Sequence, residues 1–175
     1  MNLQSNTVSL RLIEEDDAEF VVNLRTDEKL NRFISAVEDD INAQKRWIRN
    51  YKIDEAKKSQ FYFIIERNDG VRCGTVRIYD IREDSFSWGS WVLNAQKTRF
   101  SAVESAFLVY QFGFEQLGFS KCHFEVMKGN ERVMSFHEKM GAIKVSEDDN
   151  FVFYTISKES VHTASVAFRR ILKTG

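Results

Sequence analysis

Residues 119–142 read FSKCHFEVMKGNERVMSFHEKMGA and hold the side chains best suited to proton chemistry. Glu125 alternates with apolar Phe124 and Val126, Asn130 closes a Gly-Asn turn, and His137 stands one helical turn before Gly141. A carboxylate beside a dry cleft has its pKa raised toward neutrality and serves as a base. Histidine titrates near neutral pH: the imidazolium is a proton donor, and the neutral ring still donates one hydrogen bond. The plainer readings are an exposed strand carboxylate and a packed or capping imidazole. Other chemistry has little support. His123, His137 and His162 lack metal-ligand spacing, and the adjacent Cys122-His123 pair does not suit one tetrahedral site, so no metal is expected. No G-x-G-x-x-G, P-loop or G-x-S-x-G occurs.

Those residues need elements to hold them. Residues 7–13 alternate apolar and polar as a strand does, and the acidic run 14–17 starts a helix. Asp39, Asp40 or Asn42 caps a second helix to about residue 56, with Trp47, Ile48 and Tyr51 on one face. Residues 61–93 read as an antiparallel meander whose first turn is Asn68-Asp69-Gly70. The stretch 102–117 is long, apolar and nearly uncharged, which predicts a buried helix. Ser101 is its expected cap, Glu104 completes a capping box, and Gly118 ends it. A strand at 121–127, a helix at 131–140, a strand pair at 142–145 and 151–156, and a helix at 157–173 follow.

The chain of 175 residues reads as one domain spanning 1–175, of size sufficient for a core without staples. With 25 Lys+Arg against 26 Asp+Glu there is no global field to hold nucleic acid. Arg169, Arg170 and Lys173 form a local basic cluster, read as a solvated face. No run approaches the roughly 20 apolar residues of a membrane helix, and the opening residues, which lack an apolar h-region, are not expected to be a signal peptide. No membrane or nucleic-acid partner is expected. Cys73 and Cys122 are expected to be reduced thiols in a cytoplasmic protein. Proline is absent, so turns depend on Gly, Asn, Asp and Ser.

Residues 119–142 resemble the GNAT acetyltransferase superfamily, whose members carry a strand ending in (L/V)-x-V-x-x-x-N and then a helix reading A-x-x-L-Y-E-K-x-G-F. Phe124-Glu125-Val126 and Asn130 match the first part; Val133, Phe136, His137-Glu138-Lys139, Gly141 and Ala142 match the second. The preceding FGFEQLG, residues 112–118, is similar to the family's yaFeeLG stretch. The resemblance implies an α/β fold: a mixed, mostly antiparallel sheet of about seven strands, helices on both faces, and a splayed central strand pair. It implies acetyl-CoA as co-substrate. In that family the fourth strand, here Trp91, Val92 and Leu93, pairs with the pantetheine arm, and a backbone N–H near Val92 or Leu93 faces the oxyanion. The pyrophosphate sits at the start of the next helix, an anion site by its unpaired N–H groups and dipole.

The family loop there reads (Q/R)-x-x-G-x-(G/A). This sequence has QKTRFSA at 96–102, with Ala102 in the last position and no glycine. Lys97, Arg99 and Ser101 are the expected substitutes, offering charge and a hydroxyl. The resemblance assigns Asn130 and Phe136 to the cofactor, His137 to the place of a tyrosine general acid, and Glu125 to the base. Arg25, Asn31, Trp47, Tyr79 and Trp88 are candidates for the acceptor side.

The expected acceptor is a small-molecule amine. The S-A-x-E-S and S-F-H-E-K-x-G-A stretches resemble a bacterial branch linked to surface polysaccharides, which implies a nucleotide-linked amino sugar. A ribosomal-protein N-terminal acetyltransferase is the alternative enzyme reading, and a degenerate acyl-CoA-binding module the non-enzymatic one. The last strands and the C-terminal segment are candidates for a homodimer contact.

Overall fold

The structure is a computed structural model that describes residues 2–174, with residues 172–174 described by backbone alone. The side chain of Lys173 therefore lies outside the described residues. Seven strands form one sheet: β1 (Val8–Leu12), β2 (Phe61–Arg67), β3 (Arg72–Tyr79), β4 (Ser85–Leu93), β5 (Lys121–Met127), β6 (Ile143–Glu147) and β7 (Phe151–Ser157). Their order is β1-β2-β3-β4-β5-β7-β6, and β4–β5 is the parallel neighbour pair in an otherwise antiparallel sheet. The helices are α1 (Ala18–Thr26), α2 (Ile41–Ala56), α3 (Ser101–Gln111), α4 (Glu131–Lys139) and α5 (Lys158–Thr174).

Strand β2 shows why both faces of the sheet are covered. Side chains alternate along a strand. Phe61, Phe63 and Ile65 enter the cluster around α3, with Val109, Tyr110 and Phe112. Tyr62 and Ile64 enter the opposite cluster, with Val21, Ile48 and Tyr51 of α1 and α2. Five consecutive buried residues in FYFII are the signature of a strand covered on both sides.

The long apolar stretch is not one regular helix. After Gln111 it widens into a π-turn at Phe112–Gln116, where the Leu117 N–H donates to the Phe112 carbonyl. Phe112 and Phe114, two residues apart, are both buried there. Gly113 lies so close to Phe86 that a Cβ would stand 2.1 Å from the ring. The expected Ser101–Glu104 capping box is also corrected. Phe100 holds the cap position, and Ser101 is the first helical residue. The Ser101 hydroxyl accepts from the Thr98 N–H at 2.7 Å. Glu104, 1% exposed, turns away to accept from the Ser5 hydroxyl (3.0 Å), the Thr7 N–H (3.1 Å) and the Thr7 hydroxyl. A buried carboxylate thus anchors the chain entering β1 to the first turn of α3, where its charge also suits the helix dipole. For α2, Asp40 is the cap among the expected alternatives, its side chain accepting from the Ala43 N–H at 3.0 Å.

Gly113→Ala tests the tight contact with Phe86. Helix propensity alone favours alanine by about 1 kcal/mol, but overpacking a closed core costs about 1–3 kcal/mol. The expected result is a Tm lower by several degrees, partly recovered by adding Phe86→Leu. An unchanged or higher Tm in the single variant would refute the contact.

Candidate active site

The cleft begins with one extra residue. Between β3 and β4 the register runs Gly74↔Leu93 and Thr75↔Val92, then Arg77↔Gly89 and Ile78↔Trp88. Two steps on β3 face three on β4, which is a bulge on β4. Ser90, within it, has φ +47, a left-handed conformation rare for a residue with a Cβ. The bulge bends β4 away from β5. The two strands pair only at Ser85↔Lys121 and Phe86↔Cys122 and then separate. His123 fastens the closed end: Nδ1 meets the Ser85 hydroxyl at 2.7 Å and Nε2 meets the Asp80 carboxylate at 2.9 Å. That bond first, and Arg82 next, hold the Asp80 carboxyl below its usual pKa.

The open end is a cleft of about 730 Å³. Trp88, Trp91, Val92, Leu93, Lys97, Ala102, Glu125, Asn130, Phe136 and His137, all expected from the sequence, line it together. The Asn94 N–H donates to the Cys73 carbonyl on β3 at 2.8 Å. Because backbone direction alternates along a strand, the Leu93 N–H faces the other way, into the gap toward β5. At the cleft's far end the glycine-free loop is shaped by side chains instead. Asn94 Oδ1 accepts from the Gln96 N–H at 2.9 Å, and Thr98 and Ser101 exchange bonds across one turn. Among the described residues no group accepts from the N–H of Ala102 or Val103 at the start of α3.

His137 differs from its expected chemical form. It is 5% exposed, ringed by Trp88, Trp91, Phe124 and Phe136, with Nδ1 buried and unpartnered among the described residues. Burial lowers its pKa to about 3. At neutral pH it is a neutral imidazole, so the imidazolium read from the sequence is absent. The aromatic shell that removes water is the cause. Glu125 is exposed on the cleft wall, between buried Phe124 and Val126. Its charge is felt by Tyr79, whose pKa is raised to about 12, by burial first and by Glu125 second.

The other candidates lie elsewhere. The Ser101 hydroxyl is used inside the loop, and the Arg99 guanidinium lies over Phe100 at 5.1 Å; neither lines the cleft. Asn31 and Tyr79 line no cavity described here, and Tyr79 packs against Gly89. Trp88 is 3% exposed and is mainly core. Arg25 and Trp47 line a separate cavity of about 390 Å³ with Gln44, Tyr62 and Arg77. The sequence reading missed Lys29, Phe33, Arg132 and Lys139 on the larger cleft. Residues 29–37 lack periodicity, so nothing in the sequence pointed their side chains there. Among the described residues no group of three His, Cys, Asp or Glu side chains could hold a metal ion. No described helix is long and apolar enough to cross a membrane.

With this geometry in view, the comparisons identify the class. The family model described as an acetyltransferase (GNAT) domain matches residues 7–143, and the chain belongs to this family. It is an acyl-CoA-dependent N-acetyltransferase by that membership. Its structure is similar to apo FdhC, described as a nucleotide-linked sugar GNAT, with TM-score 0.90 and 52% identity over 97% of each chain. It shares the fold of the ribosomal-protein-S5-alanine acetyltransferase from Vibrio fischeri, with TM-score 0.77 and 14% identity over 90% of this chain and 96% of that one. It also shares the fold of the spermidine N-acetyltransferase from Vibrio cholerae in complex with CoA and spermine, with TM-score 0.74 and 16% identity over 89% and 98%. A search of curated proteins finds no match.

The neutral His137 has a consequence for stability. Its folded pKa, about 3, lies below the ordinary 6.5. Between those values the unfolded chain binds a proton that the folded protein does not. Its contribution is therefore complete above pH 6.5 and is lost as pH falls toward 3, at up to about 1.4 kcal/mol per pH unit. Urea unfolding at pH 7 and pH 4.5 is expected to show a smaller stability loss in His137→Phe than in the parent. Equal losses would contradict burial of a neutral ring.

Proposed function

We propose that this acetyltransferase acts on the amine of a nucleotide-linked amino sugar. The observation that carries this reading is the 52% identity, sustained over 97% of both chains, with a nucleotide-linked sugar GNAT. Neighbours at 14–16% identity support the fold and not their own acceptors.

The cleft's groups suit acetyl-CoA. The Leu93 N–H in the gap and the unpaired Ala102 and Val103 N–H groups are donors of the kind it would use. When bound, acetyl-CoA supplies an acetyl group already activated as a thioester. In this reading the Ala102 and Val103 N–H groups, with Lys97, hold the pyrophosphate. Arg99 and Ser101 are set aside from direct contact, because their polar groups are turned elsewhere. Trp91, Val92, Phe136 and Asn130 flank the arm. Leu93 donates its N–H to the oxygen that gains charge as the amine attacks, and a donor fixed in advance stabilises that charge without reorganising. Glu125 takes the amine proton, directly or through one water. His137, as a neutral ring, donates a hydrogen bond toward the departing sulfur.

A cytoplasmic setting is supported by Cys73 and Cys122, both free and buried. A self-contact through the last strands and the C-terminal segment would use exposed Ile143 and Val145 on edge strand β6 and Ile171 on α5.

The test is release of free thiol from acetyl-CoA with three acceptor groups: nucleotide-linked amino sugars, polyamines, and a peptide bearing a ribosomal-protein N-terminus. Turnover is expected with the first group. Glu125→Gln is expected to lower kcat by about 10²–10⁴-fold with little change in KM for acetyl-CoA. Turnover with the peptide alone would select the N-terminal reading. Tight CoA binding without thiol release from any acceptor would select a binding module.

A further inference from the structure

The cavity of about 390 Å³ beside the acetyl-transfer cleft carries a feature that no step above uses. Two arginines line it without a carboxylate partner. Arg25 is 5% exposed; its Nη2 donates to the Ser35 carbonyl and hydroxyl, both at 2.8 Å, and its Nε is buried and unpartnered among the described residues. Arg77 donates from Nε to Gln60 Oε1 at 2.9 Å, and Gln60 in turn donates to Asp54 at 2.6 Å. By contrast Arg11, Arg49, Arg67, Arg72 and Arg82 each pair with an acidic side chain. Glu38 also lines the cavity but makes no ion pair with either guanidinium.

A buried cation without a carboxylate, as at Arg25, is costly; Arg77 is half-buried, held by Gln60 and lying over the Trp47 and Tyr79 rings. Burial, and the nearby Arg25 charge after it, lower the Arg77 pKa. Among the described residues no acidic side chain makes an ion pair with either guanidinium. An anion in the cavity would offset both positive charges, and guanidinium forks suit phosphate oxygens. The remaining walls suit a nucleoside. Gln44, 8% exposed, offers an amide able to donate and accept. Trp47, 37% exposed, is stacked on Tyr51 at 5.6 Å and lies under Arg77. The size falls within the usual range of roughly 300–1,000 Å³ for ligand pockets. The connecting segment also joins the two sites. Lys29, Leu30, Phe33 and Ile34 line the larger cleft, and Ser35 to Glu38 line this cavity.

We propose that this second cavity binds the diphosphate of a nucleoside diphosphate through Arg25 and Arg77, with the base against Trp47 and Gln44. The diphosphate belongs to the acceptor, a part of the proposal that rests on the nucleotide-sugar reading. The sugar then reaches past the segment 29–38 toward Glu125.

Calorimetric titration of the full chain with UDP and dTDP tests it. Binding is expected in the presence of saturating CoA, because the two sites are separate. Arg77→Gln is expected to weaken it by about ten- to a hundredfold, with CoA affinity unchanged. Gln44→Glu supplies the missing carboxylate, so it is expected to abolish UDP and dTDP binding while Tm holds or rises. Inorganic pyrophosphate is expected to raise the Tm of the parent and not of Gln44→Glu. Competition between UDP and CoA, or nucleotide binding indifferent to both substitutions, would overturn the site. Two further outcomes separate it from the acceptor reading. Nucleotide sugars turned over with KM unchanged in Arg77→Gln would leave the acceptor standing and refute its diphosphate here. Arg77-dependent UDP binding without turnover of any nucleotide sugar would keep the cavity as a site for free nucleotide and refute the acceptor assignment.

Discussion

One extra residue in β4 governs this protein. A regular β4 would pair with β5 along its length and seal the sheet. Ser90 instead takes a left-handed backbone conformation, the register with β3 slips by one, and β4 departs from β5 after two paired residues. That conformation costs on the order of 1–2 kcal/mol for a residue with a Cβ. The surrounding sheet holds it in place, and strain held this way is common at functional sites. The Ser85–His123–Asp80 bridge keeps the other end of the strand pair closed. The result is a wedge with an unpaired strand edge along one side and the start of α3 at its end.

The electrostatics of the molecule divide along similar lines. At structural points charge is matched: Asp17 accepts from Arg11 and Arg72, whose pull, together with the Glu14 backbone bond, outweighs the upward push of burial and keeps its pKa low. Glu104 has no cation but takes three donors around the entry to β1. Around the two cavities matching stops. His137 is neutral in an aromatic shell, the N–H groups at the start of α3 are unspent, and Arg25 and Arg77 line one cavity without an ion pair to any acid among the described residues. Unmet polar groups cost stability wherever they are buried; Ser87 and Tyr110 carry such groups in the core, while Arg25, Trp88 and His137 carry theirs beside the cavities.

Much of this was legible in the sequence. Aromatic and β-branched runs between turn signals marked the strands of residues 61–93, and the match of Phe124 to Ala142 with the GNAT pattern pointed to Glu125, Asn130, Phe136 and His137 on the cleft. What escaped reading had local physical causes. The Glu104 position fits a capping box by spacing, but its partners Ser5 and Thr7 lie about a hundred residues away, beyond any local rule. The π-turn at Phe112–Gln116 places Gly113 against Phe86, a tertiary contact beyond any local rule. The form of His137 depends on four rings drawn from three elements. Arg77 sits in an ordinary strand pattern, and only the fold reveals that it lacks an acid.

Amide hydrogen exchange at β4, with and without CoA, tests the central claim most directly. Val92 lies one residue from Leu93, and alternation turns its N–H toward β3 while that of Leu93 faces the gap. If the wedge between β4 and β5 receives the pantetheine arm, CoA should slow exchange at Leu93 strongly and leave Val92 nearly unchanged. Tight CoA binding with no slowing at Leu93 would mean that the arm lies elsewhere and that the bulge at Ser90 does not make the site.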